Sequence, residues 1–135
     1  MATRANLLIV DNDNVVFQYY HHWDGYLSCV GEELRRFLVY AIGMELILKK
    51  VPFSSIILNE LNSDYEYEYK MNINNVNNLH GDIEFLYVIK DKKLFYVNEY
   101  DLYNKYKSYK DIIKHVCTDK NELPLWITID DKASM

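Results

Sequence analysis

The densest group of reactive side chains is His21-His22-Trp23-Asp24, with Tyr19, Tyr20 and Tyr26 around it. Imidazole and carboxylate two residues apart could form a general acid/base pair, His22 with Asp24, across a turn. No nucleophile is tied to that pair by a recognised spacing, and Ser28 and Cys29 are merely nearby. Adjacent histidines on a strand point to opposite faces, and HExxH spacing is missing, so no metal site is expected. The four glycines, Gly25, Gly31, Gly43 and Gly81, form neither GxGxxG nor GxxxxGK[ST], which excludes the common phosphate-cradling loops. No cofactor is indicated. The plain structural reading of the same residues makes Trp23 a core anchor and Asp24 the cap of its turn.

A second constellation is acidic: Glu60, Asp64, Glu66, Glu68, Asp82 and Glu84, with tyrosines between the carboxylates of Tyr65-Glu66-Tyr67-Glu68-Tyr69. Such a band could imitate nucleic-acid phosphates and enter a positively charged protein channel, steered by complementary fields. The net charge of -5 argues against general nucleic-acid binding, which wants a basic face. Lys90 to Lys120 is the one basic stretch, with 8 Lys against 5 acids, but its charges interleave as on a solvated helix face. Thirteen tyrosines in 135 residues imply that several are exposed, where they suit protein partners or stacked bases.

These residues need elements to hold them. Asn6–Val10 and Val15–His21 read as a β-hairpin around Asp11-Asn12-Asp13-Asn14, and Trp23 to Tyr26 as a loop. Leu34, Phe37, Leu38, Ala41, Ile42 and Leu48 recur at helical steps and predict a helix over 31–50. Val39, Leu46 and Ile47 widen its apolar surface, so it is expected to pack on more than one side. Pro52 ends that helix or starts the next, and Ser54–Leu58 reads as a short helix or a buried strand, which periodicity alone does not settle, the short helix being favoured. The alternation over Tyr65–Met71 predicts a half-buried strand with three tyrosines on one face and the charges on the other. Ile83–Ile89 and Leu94–Asn98 form a second hairpin around Asp91-Lys92-Lys93. A second main helix runs from about Tyr100 to Cys117, capped by Asn98 or Asp101. Leu125–Ile129 reads as a last strand and 130–135 as a frayed tail. The expected fold is α+β, one domain over 1–135, an antiparallel sheet built from hairpins with two main helices packed on one side.

The longest mainly apolar stretch, Phe37–Leu48, contains Glu45 and is too short for a bilayer span. No charged-then-apolar leader opens the chain, and two cysteines, Cys29 and Cys117, form no framework, so a cytoplasmic location is expected.

The N-terminal forty residues resemble a known family. Thr3-Arg4-Ala5-Asn6, then Tyr20-His21-His22-Trp23-Asp24-Gly25-Tyr26, then a helix near Gly31 and Leu34, are similar to small phage and bacterial proteins whose hallmark reads YxHWDGYP. Phe85-Leu86-Tyr87 and Leu94-Phe95-Tyr96-Val97 match that family's later aromatic strand pair. Leu27 stands where the family has Pro. The resemblance implies a setting in phage or other mobile DNA, where small acidic proteins block host defences. The expected function is therefore a non-enzymatic accessory protein that binds and inhibits a host-defence protein or ribonucleoprotein complex, such as a CRISPR effector. Its expected contacts are exposed tyrosines and the strand around Tyr65, Glu66, Tyr67 and Glu68. A second expectation is sequestration of a nucleotide signal in a pocket of Arg4, His22, Trp23, Asp24 and Tyr26. An enzyme using His22 and Asp24 is the third.

Overall fold

The computed structural model describes residues 3–106 and 111–125. Six strands form one sheet: β1 (Ala5–Val10), β2 (Val15–His21), β3 (Tyr65–Asn72), β4 (Phe85–Lys90), β5 (Lys93–Asn98) and β6 (Glu122–Leu123), ordered β3-β2-β1-β4-β5-β6. The helices α1 (Glu32–Leu48), α2 (Phe53–Glu60), α3 (Glu99–Asp101) and α4 (Ile112–Val116) complete an α+β fold.

Both predicted hairpins form. Asp11 shapes the first turn by accepting the backbone N–H groups of Asp13 (2.9 Å) and Val15 (3.0 Å) with one carboxylate oxygen. The second turn has only two residues, Asp91 and Lys92, both at positive φ (53° and 62°), which matches the right-handed twist of the strands it joins. The hairpins meet through β1 and β4, which pair in parallel from Ala5↔Phe85 to Ile9↔Ile89. The sheet is thus antiparallel at every junction except its centre.

That centre decides where the helices go. Leu7-Leu8-Ile9-Val10 and Leu86-Tyr87-Val88-Ile89 are apolar without alternation, so each strand has two faces to bury. Leu7, Ile9, Tyr87 and Ile89 pack with Leu34, Leu38 and Ala41 of α1 and with Ile56 and Ile57 of α2. Leu8, Val10, Leu86 and Val88 pack on the opposite face with Leu102, Tyr106, Ile112, Ile113 and Val116. The expectation of two main helices on one side is corrected: they lie on opposite faces, because one layer cannot cover strands that are apolar on both sides.

The helix predicted over 31–50 is α1, entered through a π-helical turn at Leu27–Gly31. Among the described residues it packs against both α2 and β5. Its fully buried residues are Leu34, Arg35, Leu38 and Ala41, while Leu46 and Ile47 are 73% and 71% exposed. Pro52 precedes α2 as expected. The second main helix is broken into α3, a π-helical turn at Leu102–Tyr106, and α4. Asn98 caps α3, accepting the Asp101 N–H at 2.9 Å. Leu125 is a turn residue, and the rest of the strand predicted at 125–129, with the tail at 130–135, lies outside the described residues. Among the described residues the strand that pairs with β5 is β6, Glu122–Leu123.

Candidate functional site

β2 ends at His21, and the chain turns back against the segment before β1. The Gly25 N–H donates to the Thr3 carbonyl at 2.8 Å, and the Tyr87 hydroxyl, fully buried in the sheet, donates to the Gly25 carbonyl at 2.7 Å. Burial raises the Tyr87 hydroxyl well above its ordinary pKa, so it stays a donor. A Cβ on Gly25 would lie 2.8 Å from the Thr3 oxygen and 3.0 Å from the Ala5 Cβ. Only glycine fits this slot. Asp24, at φ 53°, occupies the left-handed region that Asp tolerates better than most residues. With Gly25 pinned inward, His22, Trp23 and Asp24 are turned outward, and Trp23 is 66% exposed. Trp23 is therefore not a core anchor; Gly25, Tyr87 and Leu27 hold the loop to the core.

The partners of the predicted residues separate them. His22 Nε2 lies 3.1 Å from Glu66 Oε2 and its ring stands edge-on to Tyr20 at 4.4 Å, so it pairs with β3 and not with Asp24. The Tyr26 hydroxyl reaches Asp24 at 3.4 Å, and its ring packs with the core on the α1 side. Hydrogen bonding with the Cys29 side chain leads the causes that push Tyr26 up to about 12. Arg4 is held by Asp82, Nε to Oδ2 at 3.3 Å. Asp82 also accepts the Tyr20 hydroxyl at 2.9 and 3.1 Å; burial first, and then this bond, pushes Tyr20 up to about 12. Arg4 and His22 thus gather around Tyr20, whereas the Tyr26 ring packs with the core on the α1 side.

β3 departs from its simple alternation. Tyr67 pairs with Tyr19 and Tyr69 with Gln18, leaving Glu68 as the extra residue of a β-bulge. Neighbouring residues of β2 face opposite ways, so Tyr69 does not share a face with Tyr65 and Tyr67. Tyr65 is buried opposite His21 and donates to Glu33 at 2.5 Å; burial raises its pKa far above the usual tyrosine range. Burial also lowers the pKa of His21. Tyr67 (55% exposed) and Tyr69 (44%) are open to solvent, and so is the Glu66 carboxylate.

The bulge turns Glu68 inward, into a polar cluster absent from the sequence-based expectations. Glu68 Oε1 accepts from Asn6 Nδ2 (3.2 Å) and Gln18 Nε2 (3.1 Å), and Oε2 contacts His80 Nε2. Asn6 also accepts the His80 backbone N–H at 2.9 Å, and the His80 ring stacks on Tyr20 at 3.8 Å. His80 Nδ1 faces Asp82 Oδ1 at 3.9 Å. The Glu68 carboxylate holds Nε2, while Nδ1 has Asp82 nearby but beyond hydrogen-bond distance. The cluster fastens the segment after β3 to the sheet. Asn6, inside the wholly buried β1, and Gln18, on the buried face of β2, were its one sequence signal, since buried amides require partners. Nothing in spacing ties His80 to Glu68. Among the described residues no group of three metal-binding side chains is placed to hold an ion.

The two thiols provide a check on this arrangement. Cys29 is exposed, while burial pushes Cys117 up to about 12. Iodoacetamide at mildly alkaline pH should modify Cys29 first, because the thiolate is the nucleophile. Peptide mass mapping that found Cys117 modified first would contradict the placement of α4.

No family model, curated protein or solved structure matches the chain.

Proposed function

We propose that this protein acts by binding, without turnover, and docks through the outer edge of its sheet onto a basic surface of a larger protein. In the phage-type setting implied by the His22–Tyr26 resemblance, that partner is a host-defence component that handles nucleic acid, such as a CRISPR effector. The observation that carries the reading is the exposure of Trp23 and Tyr67 beside the carboxylates of Asp24 and Glu66. The contact of His22 with Glu66 ties the loop to the strand, so the footprint wraps around the edge. Aromatic residues held on a rigid backbone contribute large contact area at little entropic cost, and surrounding carboxylates steer a basic partner. Direct strand addition is disfavoured at this edge, where the Glu68 bulge and exposed Lys70 interrupt the unpaired row. Side chains, not the backbone ladder, supply the contacts.

Trp23→Ala should weaken partner binding by roughly thirtyfold, the scale of a hot-spot aromatic. Glu66→Lys should instead slow association by about tenfold at low salt, with the difference shrinking as salt rises. Both side chains are exposed, so stability should stay within about 0.5 kcal/mol. Surface-based kinetics with the captured partner measures both effects; affinities unchanged in both variants would refute the docking edge.

A further inference from the structure

β2 ends on a histidine that the docking edge leaves unused. His21 is 8% exposed, the one buried histidine among the described residues. Its ring stands edge-on to Tyr65 at 4.8 Å across the last pair of the β2–β3 ladder, and the Tyr65 hydroxyl is already given to Glu33 of α1. Nδ1 is buried and has no hydrogen-bond partner among the described residues. Unmet polar atoms at such depth are few in a folded protein, and each calls for an explanation. The groups facing the ring are Tyr65 of β3, Asp64 just before it, Glu33 of α1, and Asp24 and the Trp23 backbone in the loop. Burial, the largest influence, holds the pKa of His21 below the ordinary histidine value, against the pull of Asp64, Glu33, the Trp23 backbone and Asp24.

We propose that His21 is an acid-sensitive latch on the loop of His22, Trp23 and Asp24: a proton added to its ring opens the loop and withdraws Trp23 from the docking edge. The latch belongs to the fold alone, whereas its control of binding rests on the docking edge proposed above. An imidazolium carries an N–H on both nitrogens, so the proton leaves a donor and a charge at Nδ1, where no acceptor stands. Glu33 is taken by Tyr65, which leaves the exposed Asp24 and Asp64 as the carboxylates that the charged ring can turn to. Either turn gives up the ring contact with Tyr65 and drags the residues that follow His21. Gly25, pinned to Thr3 and Tyr87, confines the movement to His22, Trp23 and Asp24. The closed loop prefers the neutral ring, so the open form takes the proton first. The latch is fully shut above the ordinary histidine value and loosens as the pH falls below it.

The test is an NMR titration of the full chain from about pH 8 down to about pH 4.5, the span in which histidine changes charge. The His21 ring signals should titrate with a midpoint below the ordinary histidine value, and the Trp23 amide and indole signals should follow with the same midpoint. His22→Gln, which removes the neighbouring exposed imidazole, should keep this response. His21→Phe, which keeps a ring against Tyr65 without a titrating nitrogen, should abolish it. With the captured partner, wild-type affinity should fall about tenfold below the midpoint, the scale of one loosened aromatic contact, and that of His21→Phe much less. Should His21→Phe not fold, the wild-type and His22→Gln titrations decide. The latch is overturned if His21 does not titrate with a lowered midpoint, if the Trp23 signals move with a different one, if they still move in His21→Phe, or if they stop moving in His22→Gln. Equal weakening by acid in the wild type and His21→Phe overturns its control of binding. The titrations need no partner, and failure of the docking edge itself shows separately, as an unchanged affinity of Trp23→Ala at neutral pH.

Discussion

Glu68→Ala should destabilise the protein by about 3 kcal/mol or more, the cost of removing one partner from a buried charged network. The carboxylate receives the Asn6 and Gln18 amides and the His80 imidazole, and both amides are fully buried. Its loss leaves one N–H of each amide unmet, the other staying on the Tyr19 carbonyl for Asn6 and the Asn78 carbonyl for Gln18, beside Gln18 Oε1, which already has no partner. The melting temperature should fall by roughly 10 °C. Glu68→Gln, which keeps one acceptor and the shape of the side chain, should lose less. Urea titration of the two variants measures the difference, and a Glu68→Ala protein as stable as the wild type would mean that the bulge does not turn this side chain inward. The same reasoning separates Glu68 from Glu66: one carboxylate is turned into the buried cluster, and the other stands exposed against His22.

Gly25→Ala should cost about 2 to 3 kcal/mol, the range for forcing an extra carbon into filled space. The atoms that its Cβ would strike are the Thr3 carbonyl oxygen and the Ala5 backbone nitrogen and Cβ, none of which can rotate away. Relief requires the loop to lift, which stretches the Gly25 to Thr3 bond and withdraws the carbonyl that satisfies the buried Tyr87 hydroxyl. Gly43 is the internal control. It sits in α1 with nothing within 4 Å of a built Cβ, so Gly43→Ala should stabilise the helix by up to about 1 kcal/mol. Thermal melts of the pair should move in opposite directions, and equal shifts would contradict the tight packing of the loop.

Most of the elements are legible in local patterns of the sequence. Both hairpins and α1 follow from turn residues and apolar periodicity over a few neighbours, whereas the run Ser54–Leu58 is too short for periodicity to separate helix from strand, and α2 shows it to be a helix. What those patterns leave open is how elements meet. The parallel pairing of β1 with β4 joins residues far apart in the chain, and the unbroken apolar run Leu7–Val10 was the sign that both sheet faces would need cover. The alternation of Tyr65 to Tyr69 misleads because a bulge adds a residue without leaving any mark in hydrophobicity. Trp23 misleads for a related reason: a large aromatic is expected inside, but the neighbouring Gly25 takes the inward slot. Of the expected contact residues, His22, Trp23, Asp24, Glu66 and Tyr67 stand open at the sheet edge, whereas Tyr65 and Glu68 are committed to internal hydrogen bonds. His80 and Tyr20 join the cluster through stacking and long-range contacts that composition cannot reveal.

The docking edge is tested most directly by comparative affinity capture from lysate of a bacterium carrying intact defence systems. The wild type is compared with a Trp23→Ala, Glu66→Lys, Tyr67→Ala triple variant and with Leu46→Ser, Ile47→Ser, which alters an exposed apolar surface elsewhere on α1. The account predicts one protein retained stoichiometrically by the wild type and by the Leu46/Ile47 variant, and lost from the triple variant although it remains folded. Equal retention by all three proteins, or loss only from the Leu46/Ile47 variant, would contradict it.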